Sequence, residues 1–205
     1  MALELQQLPC ALEGARLVLC RFAPAAARRE RRALEQEATR EALHYALGKA
    51  SPLAHYPHGA PYLPEEPAWA VSLSHSTSAV ALLLVPQSSP LHIGIDIEEE
   101  RAELERVLPR FVREGELAQL EALGLPRATA LRLLWTAKEA AYKAVNPPSG
   151  SLLSFVLKRC DPAEGLLSLR YSTLELELHY LQLAGYLISY TEPIPAALLS
   201  PQPQL

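Results

Sequence analysis

The order of apolar and polar positions divides the chain into two stretches, each of which combines strands with a helix. In the first stretch, a Leu- and Val-rich run over 15–22 predicts a strand, and apolar residues at helical spacing from Pro24 to a stop at Gly48 predict a long helix. Prolines punctuate residues 51–68, which we expect to be mostly irregular. Three apolar runs then predict strands, the last two paired as a hairpin, over 69–73, 79–85 and 92–97.

Helical spacing returns in the second stretch, and strands follow it. Two helices are predicted over 102–123 and 128–145. Four strand-like runs come next, over 152–158, 166–171, 174–181 and 185–190. This order is typical of two similar α+β halves, although no sequence repeat accompanies it. We therefore expect an N-terminal half over 1–90, a C-terminal half over 91–190 and a proline-bearing flexible tail over 191–205.

Composition is that of an ordinary globular protein and narrows the environment. Of the 205 residues, 49% are hydrophobic and 20% charged, and the net charge of -4 does not indicate a broad nucleic-acid surface. The three cysteines lack CxxC spacing, which argues against a disulfide framework or a zinc site and favours the cytoplasm. Neither a signal peptide nor a membrane-spanning apolar run is predicted.

Two carboxylates on one predicted strand are the first candidate for chemistry. Side chains two residues apart on a strand face the same side, so Asp96 and Glu98 point one way while Ile95 and Ile97 point into the core. Such a pair, preceded by Gly94, can hold magnesium, which takes oxygen ligands and often shares carboxylates with a substrate's phosphates. Taken alone, so short a motif is explained better by acidic residues that solvate the end of a strand.

A second candidate is the helical segment WTAKEAAYK over 135–143. Glu139 and Lys143 are four residues apart and therefore share a helix face. Taken alone, they are explained best as an exposed ion pair worth a few tenths of a kcal/mol. The functional alternative assigns Glu139 to metal binding or proton transfer and Lys143 to a phosphate.

A third candidate is the polar segment SHSTS over 74–78, which is predicted to be a turn after a strand. Ser74 and His75 are adjacent, so their side chains diverge, and no G-x-S-x-G segment supports a hydrolase. Hydroxyls, backbone N–H groups and an imidazole at a turn suit contacts to an anion. A turn whose serines cap their own backbone is an equally good explanation.

These segments occur in a defined order, VSLSHS at 71–76, IGIDIE at 93–98 and WTAKEAAYK at 135–143. The set resembles the 4'-phosphopantetheinyl transferases, specifically the Sfp-type with two fused pseudo-repeats. The spacing of about forty residues between the second and third segments also fits that family. The resemblance implies a monomer of two α+β halves related by pseudo-twofold symmetry, each a small antiparallel sheet packed with a long helix.

The resemblance also implies the activity of a holo-[acyl-carrier-protein] synthase. The phosphopantetheine group of coenzyme A would be transferred to a serine of an apo acyl or peptidyl carrier protein, with magnesium as cofactor and 3',5'-ADP as the other product. The implied metal ligands are Asp96, Glu98 and Glu139, and the implied catalytic residues are Glu139, Lys143 and Asp96. The implied contacts to coenzyme A are Arg40, Ser74, His75, Lys138 and Lys143.

One departure from the family concerns the grip on coenzyme A. Many members have Gly-Lys-Pro before the Ser-His segment, where this chain has Gly59-Ala60-Pro61. The lysine's phosphate contact is therefore missing or supplied by another residue such as His58.

The carrier proteins that members of this family modify are acidic, so the resemblance implies a basic or apolar docking surface. Three arginines at helical spacing are candidates and are expected on one helix face: Arg106, Arg110 and Arg113. A face that is only solvated is an equally good explanation.

Two other functions compete with the transferase. A non-catalytic module of the same fold would bind coenzyme A or a carrier protein, but binding alone would not need the full acidic and basic set. Another magnesium-dependent phosphotransferase is the second alternative, and no G-x-x-x-x-G-K-[ST] loop supports it.

Overall fold

The chain is divided into two compact units, Met1–Leu91 and His92–Leu205. The structure, a computed structural model, describes residues 2–100, 103–147 and 150–199. Each unit contains an antiparallel sheet and a long helix packed on it, so the α+β fold class is confirmed. The pseudo-twofold relation between the halves stays a prediction.

The first unit is a four-stranded antiparallel sheet in the order β1-β2-β6-β5, with one long helix on β2 and β6. Leu34, Ala38 and Leu43 of that helix are buried against the sheet. The elements are β1 (Glu4–Leu8), β2 (Arg16–Arg21), α1 (Arg28–Leu47), β3 (Ala54–His55), β4 (Pro61–Tyr62), β5 (Trp69–His75) and β6 (Ala79–Pro86).

Three details of the first unit differ from the sequence-based expectations. Strand β1 was not predicted, because it lies at the sheet edge and most of its side chains are exposed, which leaves no apolar pattern to read. Helix α1 begins at Arg28 rather than Pro24 and ends at Leu47, where Gly48 stops it as expected, with a φ of 74° in the left-handed conformation that glycine adopts without strain. Ser74 and His75 belong to β5, so the turn comprises only residues 76–78.

The second unit is a five-stranded antiparallel sheet in the order β8-β12-β11-β10-β9, with α4 packed mainly on β8 and β12. Its helices are α2 (Glu103–Val107), α3 (Glu116–Ala122) and α4 (Arg127–Val145). Its strands, with the short β7 at the junction of the units, are β7 (Leu91–His92), β8 (Ile95–Glu99), β9 (Phe155–Asp161), β10 (Leu166–Tyr171), β11 (Leu174–Leu183), β12 (Tyr186–Thr191) and β13 (Ile194–Pro195). Single 3₁₀ turns occupy Leu108–Arg110, Leu152–Ser154 and Ala196–Leu198.

Two expectations for the second unit are wrong. The strand around residue 95 does not form a hairpin with β6, since β8 pairs with β12, almost a hundred residues further along the chain, with Asp96 opposite Ser189. The single helix expected over 102–123 is interrupted, because a 3₁₀ turn containing Pro109 follows α2 and Gly115 adopts a φ of 83° immediately before α3.

The C-terminal segment is ordered further than expected. Thr191 ends β12, and Ile194 is buried in the core of the second unit. Residues 200–205 of the expected tail lie outside the described residues. Among the described residues, no helix is long and apolar enough to cross a membrane.

Gly94 fixes the contact between the edge strand β8 and helix α4. A Cβ at this position would overlap the carbonyl oxygen of Ala140 and lie 3.0 Å from the amide nitrogen of Ala144. The amide of Gly94 donates to Thr191 Oγ1 at 3.0 Å, and the amide of Thr191 donates to the carbonyl of Gly94 at 3.0 Å. The absence of a side chain therefore lets the backbone of the chain entering β8 lie directly on that of α4.

Gly94→Ala should destabilise the second unit strongly. Its φ is not in the left-handed region, so alanine can adopt the backbone conformation and the loss isolates the overlap with Ala140. We expect a loss of at least about 3 kcal/mol in the free energy of unfolding, measured by urea denaturation, because the obstructing atoms are backbone and cannot rotate away. Gly124→Ala is the matched control: its φ is 87° with open space around the Cβ, and it should cost only about 1–2 kcal/mol. Equal losses would contradict the assigned role of Gly94.

Candidate active site

An ion pair joins strand β8 to helix α4. Asp96 on β8 accepts a hydrogen bond through Oδ1 from Lys143 Nζ on α4, at 2.8 Å. The same ammonium donates to the carbonyl of Ile95 at 2.9 Å. The Lys143 side chain keeps 31% of its surface exposed and that of Asp96 only 9%. Two segments that lie far apart in sequence thus meet in a contact that is partly shielded from water.

Glu139 lies beside this pair, one helical turn before Lys143, and is half-buried. Burial raises the pKa of its carboxyl group, and the Asp96 carboxylate raises it further, while the Lys143 ammonium lowers it in part. The net shift of the pKa is upward, so this carboxyl group holds a proton more readily than an exposed glutamate does. Perturbed acids of this kind are typical of groups that transfer protons.

Both carboxylates of β8 are more buried than a solvated strand end would be. Asp96 and Glu98 each keep only 6% of their surface exposed, and Glu98 Oε1 accepts a hydrogen bond from the amide of Glu99 at 3.1 Å. The alternative in which they merely solvate the strand end is therefore wrong. The core extends to this end of the strand, so side chains on both faces of β8 are covered.

The donor chemistry at this position fits a hard cation, although a complete ligand set is not assembled. Asp96 and Glu139 are desolvated carboxylates close enough to repel one another, which a divalent cation would relieve. Within residues 2–100, 103–147 and 150–199, however, no three His, Cys, Asp or Glu side chains are grouped so that they could hold a metal ion. The set of Asp96, Glu98 and Glu139 as metal ligands stays a prediction.

Lys138 is enclosed in the protein interior. Its side chain has no exposed surface, and Nζ donates to Glu116 Oε2 at 2.6 Å and to the carbonyl of Phe111 at 2.7 Å. Burial lowers the pKa of this lysine, and the bond to Glu116 opposes that shift. A side chain enclosed in this way cannot reach a ligand at the surface, so we withdraw the expectation that Lys138 contacts a phosphate.

Glu116 is the residue of this region that sequence analysis missed as a partner. It is 4% exposed, and its carboxylate accepts hydrogen bonds from the amide of Arg113, from Lys138 of α4 and from the amide of Leu157 of β9. The sequence offered little to separate it from Glu114, two residues earlier, which is exposed. Its position at the start of α3, just before the buried Leu117, is the only hint that it faces inward.

The candidates of the first unit lie on β5 and α1. Ser74 is 6% exposed, and His75 at the end of β5 is more open, with Nδ1 at 3.6 Å from Glu35 Oε1 of α1. Arg40 is exposed on the same helix. Contacts from Arg40, Ser74 and His75 to coenzyme A stay predictions.

The segment that departs from the family forms a small hairpin in the first unit. The amide of Tyr56 donates to the carbonyl of Ala60 at 2.9 Å, and Gly59 at its tip has a φ of 92°. The ring of His58 stacks on that of Tyr56 at 5.4 Å between centroids. That His58 supplies the phosphate contact of the lysine found in many family members stays a prediction.

The three arginines expected on one helix face are not on one helix. Arg106 lies on α2, Arg110 in the following 3₁₀ turn, and Arg113 in the segment before α3. Arg113 Nε donates to the carbonyl of Leu153 at 2.6 Å. The expectation of a shared face is wrong, because Pro109 and Gly115 interrupt the helix.

The region that holds the Asp96–Lys143 pair and Glu139 corresponds to a known family. Residues 92–191 match the family model of the 4'-phosphopantetheinyl transferase superfamily, from just before β8 to the end of β12. The second unit belongs to this superfamily. The match confirms the resemblance, and it supports transferase activity on phosphopantetheine; the two-repeat subclass stays a prediction. No curated protein matches the chain.

Glu139→Gln should stabilise the protein at neutral pH in the absence of divalent cations. Because the folded-state pKa of Glu139 is above its ordinary value, folding takes up a proton between the two values, and stability is lost as the pH rises through the folded-state pKa. A glutamine carries no such penalty. In urea denaturation with EDTA, we expect the variant to be more stable at pH 7–8, with an advantage that shrinks as the pH falls from the raised folded-state pKa toward 4.5 and stays at its smallest value below 4.5.

Glu175→Gln, at an exposed position of β11, is the control for this experiment, and the two variants are compared over the same series of pH values. An advantage of Glu139→Gln that does not depend on pH would contradict the raised pKa.

Proposed function

We propose that the protein transfers the 4'-phosphopantetheine group of coenzyme A to a serine of an apo acyl or peptidyl carrier protein, in a magnesium-dependent reaction that releases 3',5'-ADP. The observation that carries the proposal is the contact of Lys143 with Asp96 at 2.8 Å beside Glu139, within the segment that matches the superfamily. When a hydroxyl attacks a pyrophosphate, a carboxylate can accept the hydroxyl proton, and an ammonium can stabilise the negative charge on the phosphates. Asp96, Glu139 and Lys143 provide groups of both kinds. We place the protein in the cytoplasm as a monomer.

Glu139 is the proposed general base. The serine Oγ forms a bond to the β-phosphorus of coenzyme A as its proton passes to the Glu139 carboxylate, and the bond from that phosphorus to the bridging oxygen breaks. In the metal-free protein, burial and the Asp96 carboxylate raise the pKa of Glu139, which favours proton acceptance by its carboxylate. A base in this position contributes on the order of 10²–10⁴-fold to the rate.

Lys143 is the proposed electrostatic partner of the leaving group. An ammonium has three N–H donors, and the contacts to Asp96 and to the carbonyl of Ile95 take two of them. The partly exposed side chain can direct the third toward the phosphate that becomes the 5'-phosphate of 3',5'-ADP. Because Asp96 already orients the ammonium, little reorganisation is needed when negative charge develops.

Asp96 and Glu139 are the residues whose chemistry suits magnesium, and we propose Glu98 as the third ligand. The bound ion would offset the negative charge of the pyrophosphate, which otherwise repels the incoming oxygen. In the protein without the ion, the Lys143 ammonium offsets part of the negative charge of Asp96. In the first unit, we propose that Arg40, Ser74 and His75 contact the phosphates of coenzyme A.

The direct test is an incubation of the purified protein with coenzyme A, magnesium chloride and an apo carrier protein, followed by intact-mass analysis of the carrier. We expect the carrier mass to rise by one phosphopantetheine group. A carrier whose serine is replaced by alanine is the control and should keep its mass. Binding of coenzyme A or carrier without any mass change would instead support the non-catalytic module.

Lys143→Met should lose far more activity than Lys158→Met. Both changes remove one lysine of the second unit, but Lys158 is an exposed residue of β9, outside the ion pair on Asp96. We expect kcat/KM for carrier modification to fall by at least about 10²-fold for Lys143→Met and to stay near the original value for Lys158→Met. Similar losses in the two variants would show that Lys143 acts only as a surface charge.

A further inference from the structure

A second ion pair on α4 is enclosed in the protein interior. Lys138 Nζ donates to Glu116 Oε2 at 2.6 Å and to the carbonyl of Phe111 at 2.7 Å. Glu116 Oε2 also accepts from the amide of Arg113 at 2.8 Å, and Oε1 accepts from the amide of Leu157 at 2.8 Å. This network, which we call the Lys138–Glu116 network, joins α4 to the segment 111–116 and to β9.

Net stability is a poor explanation for such a network. Removing two charges from water costs about as much as their attraction returns, and apolar residues of similar size often do as well. A hydrogen-bonded network has another property that apolar contacts lack: it is directional, so it favours one arrangement of its members. Both oxygens of Glu116 accept hydrogen bonds and the Lys138 ammonium donates two, so the network has this property.

Directional contacts matter in the half of α4 that carries Glu139 and Lys143. Leucines are buried in the first half of the helix (Leu131, Leu133 and Leu134), whereas the buried apolar residues over 136–144 are all alanine: Ala137, Ala140, Ala141 and Ala144. Alanines permit close approach to the sheet but have no long side chain to interlock, so they specify the rotation of the helix about its axis weakly. In this half, buried polar side chains supply the directional contacts that alanines lack.

Two buried polar side chains, Thr136 and Lys138, bind other elements on nearly opposite sides of α4. Thr136 Oγ1 lies 2.7 Å from Ser189 Oγ of β12, on the sheet side, and Lys138 reaches the segment 111–116. With 3.6 residues per turn, each residue turns the helix by about 100°, so position 138 is about 200° from position 136 in one direction and about 160° in the other. Glu139 lies within the shorter of these two arcs. Rotation of the helix would break one tether or the other.

We propose that Lys138 and Glu116 are positioning residues, whose buried network fixes the rotation of α4 so that Glu139 and Lys143 face Asp96. The catalytic consequence rests on the transfer reaction proposed above; the structural consequence, a fixed helix rotation, does not. Lys138 acts through the helix and does not touch the substrate.

Trp135 provides a readout of the helix rotation that is independent of activity. Its ring packs edge-to-face on Phe111, at 5.2 Å and 87°, and the carbonyl of Phe111 is an acceptor for Lys138. The chain's other tryptophan, Trp69, lies in the first unit, so a Trp69→Phe background leaves Trp135 as the only indole emitter. A turn of α4 against residue 111 changes the environment of this ring.

The test compares Glu116→Gln/Lys138→Met with the unsubstituted pair in that background. The double variant removes both charges together, whereas Lys138→Met alone leaves Glu116 buried without its cation and is expected to unfold at lower urea. For the double variant we expect kcat per folded molecule to fall by about 10- to 100-fold, because small displacements of reacting groups are costly. KM for coenzyme A should change by less than about threefold, and the emission maximum of Trp135 should shift.

Glu105→Gln/Arg127→Met is the matched control, since it removes an exposed ion pair from the first turn of the same helix. It should leave kcat and emission unchanged. Unchanged kcat in the Glu116/Lys138 variant, or equal losses in both double variants, would overturn the proposal.

If the unsubstituted protein modifies no carrier, the proposed function fails while emission still decides the positioning role. A Trp135 shift confined to the Glu116/Lys138 variant would support that role, and the absence of a shift would overturn it.

Discussion

The close approach of the β8 entry to helix α4 is the constraint on which the site depends. Gly94 has no side chain, and the facing residues of the helix are alanines, so two backbones lie in contact. Strand and helix are therefore near enough for Lys143 to span the gap and bind Asp96. A larger residue at either surface would move the helix away from the strand and separate the carboxylates of β8 from Glu139 and Lys143 of α4.

The electrostatics of the site oppose folding and favour chemistry. Glu139 is partly removed from water next to another carboxylate, and the Lys143 ammonium offsets this in part. Such an arrangement costs stability in the unliganded protein, since the repulsion between Asp96 and Glu139 has no counterpart in the unfolded chain. Groups that are strained electrostatically before a ligand arrives are ready to interact with a phosphate, a proton or a cation without further desolvation.

Sequence patterns predicted the elements better than their partners. The apolar runs of β6, β10, β11 and β12 were placed within a few residues, because buried strands carry their pattern locally. The partner of β8 was wrong, since strand pairing between distant segments has no local signal. The convergence of Asp96 on Lys143 and Glu139 was predicted from three motifs in order. The burial of Lys138 was not predicted, because the sequence does not distinguish an exposed lysine on a helix from a buried one.

The Lys138–Glu116 network has a consequence for how the second unit folds. Its members come from the segment 111–116, from α4 and from β9, so no single element can satisfy it. A partly folded chain in which α4 has docked but the segment 111–116 has not would carry an uncompensated ammonium in its interior. Such states are disfavoured, and the second unit is therefore expected to fold and unfold as one cooperative body, with few populated intermediates that expose its strand edges to aggregation.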